Sequence, residues 1–464
     1  MKKKSVRILI ALVVVAAVLT VAYRLMNRVP APELTAETRV QAILDDGGCL
    51  DCHSRTPNLP FYADFPVAGK IVRKDVSEAV KHIDLGDTYR AIAEGKPVGE
   101  VALAKIEKSM RDGTMPMAKY YMVHWGSSVT APKQQIILDW VRSHRARFHP
   151  NTLADAGFAN EPVQPIADSL PTDPAKVALG QALYNDTRLS SDNSVSCASC
   201  HNLQTGGVDN KRYSEGVGGQ FGGVNAPTVF NAAYNFVQFW DGRAADLAEQ
   251  AGGPPLNPVE MASSSWDQIV EKLSADKKFA GAFEAVYPAG LSGETITDAI
   301  AEYEKTLLTP DSRFDLYLKG DPTAMTEQEI HGYELFKENR CATCHTGPLL
   351  GGQSYERMGL YADYFADRGT ALTEEDNGRY KQTQDEYDRH RFKVPGLRNV
   401  ALTAPYYHDG SQKTLRDAVD HMVRYQAGRP LSESDLGDLT AFLGTLTGRL
   451  DGRPLDAPAP QTAD

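Results

Sequence analysis

The chain is 464 residues long, with 42% hydrophobic and 23% charged residues, a balance that excludes long disorder, collagen-like repeats and a many-span membrane protein. Its 49 Lys and Arg against 60 Asp and Glu give a net charge of −11. No basic block is present to hold phosphate, so nucleic acid is not expected as a partner.

Lys2, Lys3, Lys4 and Arg7 precede an apolar run from Ile8 to Ala22, closed by Tyr23 and Arg24. A cleaved signal peptide would show a short core and a small-x-small cleavage site, and none is clear here. The run matches a long signal core and is slightly short of an average transmembrane helix. The basic residues ahead of it should stay in the cytoplasm, and they fit a buried core helix poorly. The reading is an uncleaved signal anchor over residues 1–29. It would be single-pass in the inner membrane of a Gram-negative cell, with the remainder in the periplasm.

All six cysteines fall into three copies of one pattern, Cys49-Leu-Asp-Cys52-His53, Cys197-Ala-Ser-Cys200-His201 and Cys341-Ala-Thr-Cys344-His345. C-x-x-C-H is the attachment signal for c-type haem: two thiols add to the vinyl groups and the His ligates the iron. Zinc would want paired C-x-x-C units close together, whereas these are far apart in the chain. No cysteine remains for a disulfide.

The nearly even spacing sets out three haem-bearing units. The expected fold is mainly α: three cytochrome c-like haem domains in tandem behind the anchor. Residues 30–155 form a mono-haem domain, residues 160–310 a second and residues 311–452 a third. Asn160–Pro171 reads as a linker, Pro310 and Asp311 as a boundary, and residues 453–464 as a disordered tail. Helical spacing of apolar residues marks Gln134–Arg142, Ile296–Leu307 and Leu436–Leu443, each late in its own unit. Gly216–Gly223 and Gly252–Pro258 read as loops.

Axial ligands decide whether a haem carries electrons or does chemistry. In the first unit Met110, Met115, Met117 and Met122 cluster around a Gly and a Pro, and His82, His124, His144 and His149 are also present. The residues alone leave these open. After the third motif come Met358, Met422, His390, His408 and His421. The middle unit differs, because no His occurs between His201 and His331 and its methionines are Met261 and Met325. Unless Met261 binds, that iron has an open face, as peroxide or oxygen activation requires.

From about Pro162 to Leu446 the chain resembles bacterial di-haem cytochrome c peroxidases, and with the extra N-terminal unit and anchor it resembles their tri-haem quinol peroxidase relatives. The stretches that carry the resemblance are Asn225-Ala-Pro-Thr-Val-Phe-Asn231, Gln238-Phe-Trp-Asp-Gly-Arg-Ala244, Val394 through Gly410 and the three haem motifs. The N-terminal unit resembles a haem-binding domain with a Met-Pro motif at Met115, followed by Tyr120 and His124, which implies Met115 as the sixth ligand of the first haem. The resemblance implies that the second haem is peroxidatic and that the third transfers electrons with Met422 as its ligand. It implies Glu260 and Gln250 in the peroxide pocket and Trp240 between the two haems. It also implies a calcium ion held by the Asn225 side chain and the carbonyls of Thr403 and Pro405. Where many relatives carry a His that caps the peroxidatic iron, this chain has Val217, which cannot ligate.

The expected activity is reduction of hydrogen peroxide to water, with Glu260 moving the proton and Gln250 holding the substrate. Electrons would come from membrane quinol or a small cytochrome, and a homodimer is a candidate assembly. The rivals are a tri-haem electron carrier and a protein-modifying di-haem oxidase. The second would favour a Tyr where Met422 stands.

Overall fold

The computed structural model describes residues 2–456, which divide at Pro150 into two compact, mainly helical units. The first motif lies in the smaller unit, and the second and third motifs share the larger one.

The smaller unit opens with α1 (Lys2–Met26), whose apolar stretch Ser5–Met26 is 22 residues long and wholly exposed. At 1.5 Å per residue that is about 33 Å, the thickness of a bilayer's hydrocarbon core. The helix thus runs past Ala22, because nothing before Asn27 stops it. The longer helices that follow are α2 (Ala36–Asp46), α3 (Pro66–His82), α4 (Glu100–Asp112) and α5 (Ala131–Phe148). Val40 and Ile43 of α2, Leu103 and Ile106 of α4, and Ile137 and Trp140 of α5 make one core. A buried Arg145 on α5 pairs with Glu100 at 2.7 Å and Glu107 at 2.8 Å on α4, which locks those two helices together.

In the larger unit, α6 (Pro174–Tyr184) crosses α7 (Gly293–Glu304), and α8 (Glu327–Glu338) crosses α10 (Glu433–Gly444), with α9 (Leu415–Met422) between the latter two in sequence. Both crossings need a glycine. A Cβ on Gly180 would meet the Ala299 carbonyl at 1.9 Å, and one on Gly332 would meet the Asp438 carbonyl at 2.1 Å. The second and third motifs therefore sit in two copies of one arrangement, each with a helix before the motif crossed by a late helix. Strands are few. β1 (Tyr355–Arg357) pairs antiparallel with β2 (Arg391–Lys393), and β3 (Arg449–Leu450) with β4 (Arg453–Pro454).

Two expected boundaries run through the interior of this unit. Asn160–Pro171 is not a free linker. Val163 and Ile166 are fully buried, Val163 bridges to Gly347, and the Gln164 carbonyl accepts from Arg398 at 2.8 Å. Val163 belongs to the core around the third motif. Thr309, beside the 310/311 boundary, is also buried. Its hydroxyl accepts from the Asn231 amide at 2.7 Å and the Asn399 amide at 3.0 Å, while its N–H donates to Asn231 Oδ1 at 2.8 Å. The tail expected from residue 453 begins instead as β4, because Asp451-Gly452 takes the left-handed turn that a tight hairpin requires. From residue 457 the tail lies outside the described residues.

Thr309→Val keeps the shape and leaves two buried amides without their acceptor, at a cost of about 1–3 kcal/mol. A denaturation midpoint equal to wild type in the haem-loaded protein would show that the node is not stabilising.

Candidate active site

Each motif closes a short turn that presents its histidine inward. Cys49–Cys52 and Cys197–Cys200 are single helical turns, and Cys341–Thr343 is a 3-10 turn. A residue in the left-handed region, Gly48 or Arg340, leads into the first and third. Ser196 and Ser199 cap the second reciprocally. The His53 Nδ1–H donates to the Ile83 carbonyl at 3.2 Å, and that of His345 to the Leu350 carbonyl at 2.9 Å. His201 Nδ1 is buried and closes no hydrogen bond of normal geometry, with the backbone of Gly207 and Pro227 beside it. Burial pushes all three imidazoles below their ordinary pKa, so they stay neutral. A neutral ring tethered through Nδ1 offers its Nε2 lone pair to a metal.

None of the six cysteines forms a disulfide. Cys49, Cys341 and Cys197 each pack against an apolar cluster, and burial pushes their thiols up to about 12. The His/Cys/Asp/Glu cluster among the described residues that could hold a metal is His331, Asp435 and Asp438, and no cysteine belongs to it. Two thiols, a buried neutral imidazole and apolar walls fit haem at each motif and do not fit zinc.

Packing and hydrogen bonds then sort the distal candidates. In the smaller unit Met110 is core, at 9% exposure, and Met122 is 79% exposed. Both nitrogens of His124 are engaged, by the Tyr62 hydroxyl at 2.8 Å and the Tyr120 carbonyl at 3.2 Å. His144 Nε2 accepts from the Val98 N–H at 3.0 Å, and His149 Nε2 bonds the Val98 carbonyl at 2.7 Å. Met115 is half-buried at the edge of the core that also takes Cys49.

In the larger unit His408 Nε2 bonds Asp376 at 2.8 Å and its ring stacks on Phe392. His390 Nδ1 donates to the Asp376 carbonyl at 2.7 Å. His408 is thereby committed through Nε2, whereas His390 is tethered through Nδ1. Met422 ends α9 and is followed by a π turn, Val423–Ala427, a rare element frequent at functional sites. It packs in a cluster with Met358, Tyr425 and Trp240. His421 Nδ1 is buried without a hydrogen bond and is the other side chain here that could ligate.

Glu260 is the expected residue that the structure brings to the second motif. Glu260 lies within electrostatic reach of Cys200. Its Oε1 accepts from the Asn257 amide at 2.8 Å. Burial raises the Glu260 pKa above its ordinary value, opposed by Arg243 and by the Asn257 bond. The glycine loop closes on this segment. The Val217 N–H donates to the Glu260 carbonyl at 2.8 Å, and a Cβ on Gly216 would meet that same carbonyl at 2.4 Å. Val217 itself packs on the adjacent apolar cluster, where Met261 is buried. Gln250 sits half-buried on the short helix Leu247–Ala251.

Trp240 donates from Nε1 to the Asn225 carbonyl at 2.9 Å, and its carbonyl accepts from the Lys393 N–H at 2.8 Å. Asn225 is buried. Its N–H bonds the His408 carbonyl at 2.7 Å, and its amide donates to the Lys211 carbonyl at 2.9 Å. The Asn210 amide holds the carbonyls of Leu402 and Ala404 at 2.8 and 3.0 Å, next to Thr403 and Pro405. The segments expected to bind calcium are thus tied to Trp240, with oxygen donors of the hard type that calcium prefers.

Sequence reading missed several groups. Asn257 and Arg243 set the charge on Glu260, and only the spacing of Asn257 three residues ahead of Glu260 hinted at the first. Lys393 is buried, which pushes it down to about 8. Glu304 is buried near Cys197, and burial pushes its carboxyl up to about 8.

The chain is similar to known haem proteins. Residues 174–323 match the family model "Di-haem cytochrome c peroxidase", and residues 10–143 match "Haem-binding domain". The chain is 49% identical over 420 residues to the cytochrome c peroxidase Ccp of Escherichia coli, covering 90% of each chain. It is 46% identical over 275 residues to the cytochrome c551 peroxidase of Pseudomonas aeruginosa, covering 58% of this chain and 78% of that protein. Among solved structures it is similar to a MauG-like protein associated with microbial copper homeostasis. That match has a TM-score of 0.54 and 28% identity, over 60% of this chain and 90% of the other.

Met115→Leu removes a thioether and keeps the volume. The absorption spectrum of the first haem should lose the signature of a sulfur ligand, while Met117→Leu should leave it unchanged. The reverse result would move the role to Met117.

Proposed function

The chain belongs to the di-haem cytochrome c peroxidase family and is a haem peroxidase, and from that premise we propose that it reduces hydrogen peroxide at the His201 haem with electrons from membrane quinol. The observation that carries the peroxidatic assignment is Glu260, a half-buried carboxyl with a raised pKa beside the second motif, under a loop that offers Val217 instead of a ligand.

Three haems would be held by Cys49, Cys52 and His53, by Cys197, Cys200 and His201, and by Cys341, Cys344 and His345. Met115 would complete the first and Met422 the third. The haem supplies an iron that binds peroxide and exchanges single electrons. Glu260, as carboxylate, takes the proton from the peroxide oxygen nearer the iron and delivers it to the farther oxygen, which leaves as water. Gln250 hydrogen-bonds the peroxide and holds it against Glu260. Two electrons and two protons per peroxide give two waters. Trp240 offers a packed contact path toward the cluster that contains Met422. A calcium ion at Asn225, Thr403 and Pro405 would hold the segments on either side of Trp240 in register.

Support for quinol is the exposed apolar helix α1 joined to a haem-binding unit, which suits a donor dissolved in the bilayer. On this reading the protein is anchored in the inner membrane, faces the periplasm and hands electrons from its first haem to the other two. A small cytochrome is the second reading, favoured by relatives called cytochrome c and cytochrome c551 peroxidases. Steady-state turnover of the full-length protein with quinol and with reduced cytochrome c separates the two.

Glu260→Gln should lower peroxide turnover by about 10²- to 10⁴-fold with haem content intact. Near wild-type turnover would remove Glu260 from the mechanism. Because Glu260 acts first as a base, kcat/KM should rise with pH through its raised pKa and then level off. Asn257→Leu removes a bond that favours the charged form, so the limb should move to higher pH. A limb that stays in place means that another group titrates.

With Val217 in the loop and His408 committed to Asp376, the ferric His201 haem should be high-spin as isolated. Electron paramagnetic resonance showing three low-spin haems would mean that another side chain caps it.

A further inference from the structure

The smaller unit carries an apolar surface that the peroxidase reading does not use. Phe61, Val67, Met122 and Val123 are each more than 70% exposed, and Phe65 and Ile71 more than half. They lie on two segments that meet. The Tyr62 hydroxyl bonds His124 Nε2 at 2.8 Å, and the His124 ring stacks on Tyr120. Val67 and Ile71 are one turn apart on α3, hence on one face.

This surface is bolted to the end of α1. Asn27, buried directly after the helix, donates to the Trp125 carbonyl at 2.7 Å and accepts from the Ser128 N–H at 2.8 Å. The Tyr23 hydroxyl donates to Ser128 Oγ at 2.9 Å. Tyr23 and Trp125 are thus the aromatic pair at the helix exit, the position such rings take at a membrane surface. Lys70, Arg73 and Lys74 are exposed on α3. Basic residues beside an exposed apolar face are the pattern of a helix that lies in the headgroup layer.

We propose that this face of the smaller unit sits in the bilayer, in the leaflet that α1 leaves at Met26, so that the first haem unit rests on the membrane instead of hanging from a tether. Its continuity with the apolar helix identifies lipid as the partner. The inference rests on α1 remaining an uncleaved anchor.

The test uses the full-length haem-loaded protein in phosphatidylethanolamine–phosphatidylglycerol liposomes. All native cysteines belong to haem motifs, so single introduced cysteines can carry a nitroxide. Phe61→Cys, Val67→Cys and Val123→Cys probe the face. Val13→Cys marks the span, and Lys96→Cys marks an exposed site elsewhere on the unit. An unchanged haem spectrum verifies each fold. Power saturation should show positions 61, 67 and 123 shifted toward oxygen and away from a water-soluble nickel chelate, as at 13, with the reverse at 96. If 61, 67 and 123 behave like 96 while 13 reads lipid, the seat is wrong and the anchor stands. If 13 also reads water, or the intact mass lacks residues 1–29, the anchor fails first. Labels shielded from both reagents would mean that protein covers the face, which overturns the lipid assignment.

Discussion

The larger unit depends on one buried hydroxyl. Thr309 lies beside the expected boundary between two haem domains, and its side chain takes both the Asn231 and the Asn399 amides. Asn399 in turn accepts from the Gly448 N–H at 3.0 Å. Unpaired, these groups would each cost free energy in the interior; fully paired, they make the interior specific. Both asparagines sit in the left-handed region and each begins a short 3-10 turn. Beyond each turn an isolated bridge follows at the same offset, Gln238 to Ala244 and Tyr406 to Gln412. The two halves therefore repeat each other about this node. It fixes the chain that leads to Trp240 and the chain that leads to His408.

The proposed peroxide pocket is made of loops held by backbone contacts. Glu260 has a raised pKa because it is half-buried, yet Asn257 and Arg243 keep the charged form within reach. Opposed influences of this kind suit the proton transfer proposed for it. The glycine loop can press on the Glu260 backbone because Gly216 has no side chain in the way. A His at position 217 in a relative would stand in this same loop. Here a valine packs into the apolar cluster instead.

Hydrogen bonds give most of the remaining histidines a partner within the protein. His408, His390, His144 and His124 are all engaged by protein groups. The strongest engagement is at Asp376. Burial opposes its charge, but Arg368 and His408 hold its carboxyl well below the usual range. Arg368 also reaches Asp409 at 2.9 Å. This network braces the segment that supplies the Asn225 contact, and leaves His408 with a structural task.

Much of the chemistry was legible in the residues alone. Three C-x-x-C-H motifs, a basic flank before an apolar run and the helical spacing of Ile296–Leu307 are local patterns, and local physics decides them. Met115 and Glu260 needed the family resemblance, because a methionine or glutamate looks the same in a core as in a site. The burial of Val163 and Thr309, which turns an expected linker and boundary into core, was not legible. Neither was the commitment of His408 to Asp376 or the hairpin that begins the expected tail. The sequence by itself determined where the three C-x-x-C-H turns lie and which helices form, since those depend on neighbours a few residues away. Tertiary structure decided which histidines are unavailable, how charged Glu260 is and where one compact unit ends. Those depend on partners tens to hundreds of residues distant, such as Asn231 with Thr309 or Arg398 with Gln164, whose pairing only the folded chain brings about.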